Sequence, residues 1–399
     1  MNKTRIEDLN LLDMRVLTRV DYNVPLDDAL HVTDDLRIRR SLRTVRFILD
    51  HGGTPVLMSH LGRPKGKVVD SMRLNPVASR LEALIGVPVI KFDETVGDAV
   101  RQALPKGGEK KVVLLENLRF NPGETTNDPA FAALLAELGD LYVNDAFGAA
   151  HRAHASVVGV PRLFGPGKAA AGFLLAKEID YFSQVLENPK RPMAAILGGA
   201  KVSDKLPVVR NLCSIVDHII IGGGMAYTFL KAIGVNVGNS RVEEDCLDAA
   251  RETFNDAKEK GFEILLPIDH VVADAFAEDA ECKVVDGHVP DGMMGLDIGP
   301  ASVGLFLNTL SRARTILWNG PMGVFEWDNF STGTRSMAEG IANMKAITVV
   351  GGGDSAAAAK QFHLEDKFSH ISTGGGASLE LIEGKILPGL DVLPEYVVV

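Results

Sequence analysis

Two groups of residues in this chain have the types and spacing to hold anions. The first lies directly after short apolar runs in the first half: Asp21 and Asn23, then His60 and Arg63, then Asn117 and Arg119, then Asn144 and Asp145. His151, Arg152 and His154 follow closely, and Arg37 opens a segment that also carries Arg39, Arg40, Arg43 and Arg46. Arginine makes bidentate bonds to carboxylate and phosphate, so several arginines at one sheet edge would grip a small, multiply charged anion. A lone strand-end Arg or Asn is more often simple turn chemistry, and Arg39, Arg40 and Arg43 read as a solvated helix face. Arg37 differs because it sits near a helix start, where an anion also meets the positive end of the dipole.

The second group is a repeated device in the second half. A short apolar run ends in a glycine cluster and a helix-like segment follows: AAILGGAKVSDK (194–205), IIIGGGMAY (219–227), VVGGGDSAAAA (349–359) and HISTGGGASLELIEG (370–384). Glycine lets the backbone approach a ligand closely, and a helix N-terminus after such a turn offers free N–H groups to a phosphate. Lys201 and Lys205 follow Gly198 and Gly199. Two cations at a helix start are unfavourable unless an anion joins them. Asp354, within GGGDS, reads either as an N-cap or as a carboxylate for Mg²⁺ beside nucleotide phosphates. The segment GRPKGKV (62–68) fails the P-loop pattern in its spacing. Gly351, Gly353 and Ala356 satisfy GxGxxA, but the acidic residue that should follow about 20 positions on is missing, since position 371 is Ile. The two groups together predict two anion sites facing each other across a cleft. An NAD-dependent dehydrogenase and a non-catalytic two-lobed anion-binding protein are the alternatives; neither accounts for both the Gly–Lys loops and the arginine cluster.

The elements that must position these residues alternate strand and helix. The runs RVLTRVDYNVP, TPVLMSHLGRP, VPVIKF, KVVLLENLRF and LYVNDAF in the first half, and AAILGG, HIIIGGG, EILLPID, TILWNGP, ITVVGGG and HISTGGG in the second, are near-continuously apolar. That is the pattern of strands covered by helices on both faces, and it predicts an α/β fold with doubly wound, mostly parallel sheets. In open sheets of this kind ligands bind beyond the carboxyl ends of the strands, where both groups lie. With 399 residues the chain is too long for one ordinary core, so two domains are expected. The segment 173–192 places Leu175, Ile179, Phe182 and Leu186 on one helix face before Pro189 and Pro192, and predicts one helix carrying the chain between domains.

Charge supports local anion sites and argues against nucleic acid. The net charge is −10; residues 1–186 carry 24 Lys and Arg against 23 Asp and Glu, while residues 187–399 carry 18 against 29. An acidic protein lacks the basic face that a nucleic-acid backbone needs. Cys213, Cys246 and Cys282 form no CxxC pair, the pattern of reduced thiols. The N-terminal sequence has no secretory h-region, and no apolar run approaches the length of a membrane span. A cytoplasmic, soluble protein is expected.

In order along the chain, RVDYNVP, SHLGRP, ENLRF, NDAFGAAHRAHAS, LGGAKVSDK, GLDIGP, WNGPMGVFE, VVGGGDSAAA and STGGGASLELIEGK resemble the motifs of the phosphoglycerate kinase family, from about residue 19 to 389. The ending, EYVVV, departs from the family's usual short one. The resemblance implies two Rossmann-like domains joined by a long helix: an N-terminal phosphoglycerate-binding domain (1–172), an interdomain helix (173–188), a nucleotide-binding domain (189–380) and a tail (381–399) that packs back on the first domain. It implies that Asp21, Asn23, Arg37, His60, Arg63, Arg119 and Arg152 line a site for 3-phosphoglycerate or 1,3-bisphosphoglycerate. Lys201, Lys205, Gly295, Glu326, Gly352, Gly353, Asp354 and Ser355 would surround MgATP or MgADP, with Glu326 on the ribose and Asp354 on the metal. The implied reaction is reversible phosphoryl transfer between 1,3-bisphosphoglycerate and ADP, in glycolysis and gluconeogenesis, by a hinge-bending monomer with no nucleic-acid or membrane partner. Arg37 and Lys201 would neutralise charge on the transferring group and Lys205 would hold the nucleotide phosphates. The attacking group in one direction is a carboxylate, already ionised, so no general base is needed.

Overall fold

The apolar runs fold as the strands of two parallel six-stranded sheets. The protein is described here from a computed structural model covering residues 1–396. The last three residues of the EYVVV ending lie outside the described residues. The first sheet contains β1 (Arg15–Arg19), β2 (Thr54–Met58), β3 (Val89–Lys91), β4 (Val112–Leu114), β5 (Leu141–Asn144) and β6 (Ala169–Ala171), in the order β3-β4-β2-β1-β5-β6. All its pairings are parallel. Every residue of β2, β4 and β5 is buried, which is why those runs are apolar without alternation. One core cluster joins Leu57, Leu81 and Leu114 with Ile38 and Val45 of the helix Leu36–Asp50. A second joins Val16, Leu141 and Val143 with Ile48 of the same helix.

The remaining strands are β7 (Met193–Leu197), β8 (His218–Ile221), β9 (Glu263–Leu265), β10 (Asp269–Ala273), β11 (Cys282–Asp286), β12 (Met294–Ile298), β13 (Thr315–Asn319), β14 (Ile347–Val350) and β15 (His370–Ile371). The second parallel sheet has the order β15-β14-β13-β7-β8-β9. Two features depart from the sequence reading. The short strand β6 is three alanines. The run EILLPID stops at Leu265, and β10, β11 and β12 form a separate antiparallel sheet in the order β11-β10-β12.

The chain divides into two compact units. One comprises Met1–Asp180 with the C-terminal stretch from Ile386, and the other comprises Tyr181–Lys385. The division falls inside the helix Phe173–Leu186, on which Leu175, Ile179 and Phe182 are buried. The C-terminal stretch bonds to the first unit: Gly389 N donates to the Ala150 carbonyl at 2.8 Å, Thr4 N to the Pro394 carbonyl at 2.9 Å and Tyr396 N to the Asn2 carbonyl at 3.0 Å. Among the described residues no helix is long and apolar enough to cross a membrane.

Candidate active site

In the first unit the carboxyl end of the parallel sheet gathers cationic and amide side chains. The loops carrying them are tied by two asparagines. Asn23 Oδ1, after β1, accepts the Gly62 amide at 2.8 Å. Asn117, after β4, accepts from Leu61 N at 3.2 Å, donates to the Leu61 carbonyl at 2.7 Å and caps the short turn Leu118–Phe120 by accepting from Arg119 N. The loops after β1, β2 and β4 are thereby locked together, with Arg119 at their junction. Its Nη1 donates to the Gly62 carbonyl at 2.7 Å, while its buried Nε has no partner.

Arg19, the last residue of β1, is fully buried. Its Nε donates to Ser156 Oγ at 2.9 Å, one terminal nitrogen lies 3.0 Å from His60 Nδ1, and the other donates to the Val20 carbonyl. Arg37 pairs with Asp21 at 2.7 Å. Arg152 Nε bonds to His151 Nε2 at 3.1 Å. Arg63 is exposed on the loop after β2.

These charges act on one another. Burial holds the His60 imidazole well below its ordinary range, and Arg19, Arg119, Arg152 and Arg37 depress it further. Burial, then Arg152 and Arg19, pull Arg119 down to about 10, against a partial counterweight from Glu124 and Asp21. His154 falls to about 4 through burial and then Arg119, Arg19 and Arg152. The pocket therefore carries unbalanced positive charge and a neutral His60, which suits an incoming dianion. Asp145 serves the framework: burial pushes its carboxyl up to about 6, and it accepts the Leu174 amide at 2.8 Å at the start of the helix Phe173–Leu186.

In the second unit, β7 and β13 are neighbours from which the chain proceeds to opposite edges, through β8 and β9 on one side and β14 and β15 on the other. Ligands bind at such a switch point. The loops leaving β7 and β13 pass backbone against backbone: a Cβ on Gly198 would overlap the Pro321 carbonyl oxygen, and one on Gly320 would overlap the Gly198 carbonyl. Lys205 stands at the N-terminal boundary of the helix Leu206–Leu212, and its Nζ donates to Oδ1 of buried Asn319 at the end of β13. Asn319 Nδ2 in turn donates to the Gly351 carbonyl at 3.0 Å. Burial lowers the Lys205 pKa, and Asp354, Asp204 and Glu383 oppose that shift. Asp354 is exposed in the first turn of the helix Gly353–Gln361, whose N-cap Gly352 has φ +91°. No heavy atom would obstruct a group at Gly353. Lys201 is exposed in the loop after β7.

Ser355, Gly295 and Glu326 are placed differently. The Ser355 side chain is buried and accepts the Gly320 amide at 2.6 Å, so its hydroxyl serves the β13 turn. Gly295, in β12, packs so closely on Tyr227 that a Cβ would overlap the phenol. Glu326 is exposed in the turn that precedes the short helix Asp328–Phe330. Sequence reasoning missed Arg19, Glu124, Ser156 and Asn319. Asn319 ends β13 and shares the signal that marked the others; Arg19 ends β1, but the apolar run continues past it at Val20. Nothing local marks Glu124 or Ser156.

A family model described as "Phosphoglycerate kinase" matches residues 6–385. The chain belongs to the phosphoglycerate kinase family. It is 52% identical to the phosphoglycerate kinase of Synechococcus elongatus over 99% of this chain and 100% of that one. It is 54% identical to the phosphoglycerate kinase of Rubrobacter xylanophilus over 99% of each. Among solved structures, the phosphoglycerate kinase from Coxiella burnetii superposes with a TM-score of 0.91 at 41% identity, covering 98% of both chains. That from Pyrococcus horikoshii gives 0.80 at 32% identity, again covering 98% of both. The chain is therefore a phosphotransferase with a carboxyl group as acceptor, and its α/β architecture of two Rossmann-like units is that of the phosphoglycerate kinase family.

Proposed function

We propose that the chain transfers a phosphoryl group reversibly between 1,3-bisphosphoglycerate and ADP, giving 3-phosphoglycerate and ATP. The observation that carries this reading is Arg119: a buried guanidinium with a donor left unpartnered, crowded by Arg19 and Arg152 beside a neutral His60. A phosphorylated carboxylate supplies the missing acceptors and the missing negative charge. In this proposal the first unit holds the phosphoglycerate through Asn23, Arg37, His60, Arg63, Arg119 and Arg152, with Asp21 orienting Arg37. The second unit holds the nucleotide through Lys201, Lys205 and the Gly352–Ser355 turn, with Gly295 and Glu326 toward the nucleoside.

Mg²⁺ fits the donor set as a nucleotide-bound ion. Among the described residues no three His, Cys, Asp or Glu side chains cluster as a metal cage. One exposed carboxylate, Asp354, lies at the glycine turn. Magnesium is typically bound by one or two carboxylates with phosphate oxygens completing its shell. Asp354 would hold it, and bound there it would neutralise phosphate charge.

The chain's own residues position and neutralise. Alignment of the reacting groups can supply about 7–11 kcal/mol, and a single cation on the transferring group about 10³–10⁵-fold. Arg37 and Lys201 are assigned that charge role, and Lys205 the nucleotide phosphates. Closure of the two units on their ligands would exclude water from the transfer. The protein is proposed to act as a cytoplasmic monomer. The test is a coupled assay with ATP, Mg²⁺ and 3-phosphoglycerate, in which glyceraldehyde-3-phosphate dehydrogenase reports the acyl phosphate through NADH loss. Turnover that needs all three components supports the reading. No turnover by folded protein beside an active coupling enzyme contradicts it.

A further inference from the structure

Behind the arginine pocket runs a buried chain of side chains whose proton directions are all determined. Glu124 is fully buried in the turn Pro122–Thr126, and both its oxygens accept: Oε1 from Ser156 Oγ at 2.6 Å and Oε2 from the Ser156 amide at 3.0 Å. The Ser156 hydroxyl has one proton. Given to Glu124, that proton leaves only lone pairs facing Arg19 Nε, which donates to them at 2.9 Å. Arginine has no acceptor, so its contact with His60 Nδ1 at 3.0 Å requires Nδ1 to be the acceptor. The His60 proton must then sit on Nε2. Among the described residues Nε2 makes no hydrogen bond.

We infer that Glu124, Ser156 and Arg19 form a positioning relay that fixes His60 as the neutral Nε2–H tautomer, so that it presents a single hydrogen-bond donor to the anionic substrate. The inference rests on the assignment of phosphoglycerate to this pocket. Glu124 also offsets the buried charge of Arg19 through the serine instead of by direct contact. A direct ion pair would draw the guanidinium away from His60. The charged and titratable groups facing His60 are Arg19, Arg119, Arg152 and Arg37; at the far end of the relay Glu124 is faced by His154, 3.8 Å away, by Arg119 and by Tyr142, whose hydroxyl donates to the Ser156 carbonyl at 2.9 Å. Burial, with the surrounding guanidiniums adding to it, keeps the imidazole neutral, but neutrality alone does not choose between its two tautomers. The relay does.

The direct test is ¹⁵N NMR of the imidazole nitrogens in the intact protein, with His60 assigned by His60→Gln. A protonated nitrogen and a bare ring nitrogen differ widely in shift, so the tautomer is read without any assay. The relay predicts Nε2–H from about pH 6 to 8, across the range where an ordinary histidine titrates. Ser156→Ala should give mixed tautomers and raise KM for 3-phosphoglycerate about tenfold, with KM for ATP unchanged. Ser156→Thr, which keeps the hydroxyl, should restore both readouts. A wild-type His60 that is Nδ1–H or doubly protonated at neutral pH overturns the relay, as does a Ser156→Ala protein with an unchanged tautomer. If Ser156→Ala does not fold, the wild-type spectrum and Ser156→Thr still decide. Failure of the substrate assignment would appear instead as no 3-phosphoglycerate turnover by wild type, whatever the tautomer.

Discussion

Ser355 Oγ accepts the backbone N–H of Gly320 at 2.6 Å. The contact links the glycine turn after β14 to the turn after β13, so a hydroxyl that its motif would assign to nucleotide is engaged within the protein. Ser355→Ala would leave a buried amide unpaired. The expected loss is about 1–3 kcal/mol of stability, read as a lower urea midpoint. An unchanged midpoint would mean that Gly320 finds another acceptor.

The crossing of the loops after β7 and β13 is equally demanding. Gly198→Ala would drive a methyl group into the Pro321 carbonyl, and backbone cannot yield as a side-chain tip can. We expect about 3 kcal/mol of destabilisation and weaker ATP-dependent turnover. Gly304→Ala is the steric control, because no atom would lie near its Cβ and its backbone is helical within Pro300–Leu310; it should cost nothing or stabilise slightly. Equal losses from both substitutions would contradict the crossing as the cause.

Much of this framework was legible from the apolar runs and the residues at their carboxyl ends. Strands buried on both faces cannot alternate, and the runs around Val56, Val113, Ile196 and Leu317 announced themselves in that way. The strand β6 did not, because three alanines carry neither β-branching nor period. The β10–β12 sheet was hidden because Val271 and Val272 come too soon after EILLPI to read as a second strand. At the site, His60, Arg119, Lys205 and Asp354 stood out through position relative to strands and glycines. Arg19 was masked inside the run RVLTRV. Glu124 and Ser156 are 32 residues apart in sequence and meet only through tertiary folding. Spacing along a chain carries no trace of such a pair.

Asp297 gives a pH signature. Burial pushes its carboxyl up to about 7, against bonds from the Gly333 and Ile298 amides. A folded pKa above the unfolded value of 3.8 means that the native state binds more protons between those limits. Stability from this group is therefore present below about pH 4 and lost as pH rises through about 7. Wild type should lose stability relative to Asp297→Asn over that window, measured by urea unfolding at stepped pH. A constant difference between the two proteins would refute the raised pKa.

The stretch from Ile386 buries Leu387, Leu390 and Leu393 in the first unit. Each buried leucine is worth about 1.5–3 kcal/mol. A chain ending at Lys385 should melt well below the full chain, with the loss confined to the first unit by hydrogen exchange. An unaltered melting profile would show that the stretch is dispensable.

The most direct test of the central claim, transfer by positioning and charge neutralisation, is kcat for Arg37→Ala in the coupled assay. Arg37 is half exposed and held by Asp21 at 2.7 Å, so its removal should leave the fold intact. The account predicts that kcat falls about 10³-fold or more while KM for ATP is unchanged. A near-normal kcat would contradict the assignment of Arg37 to the transferring group.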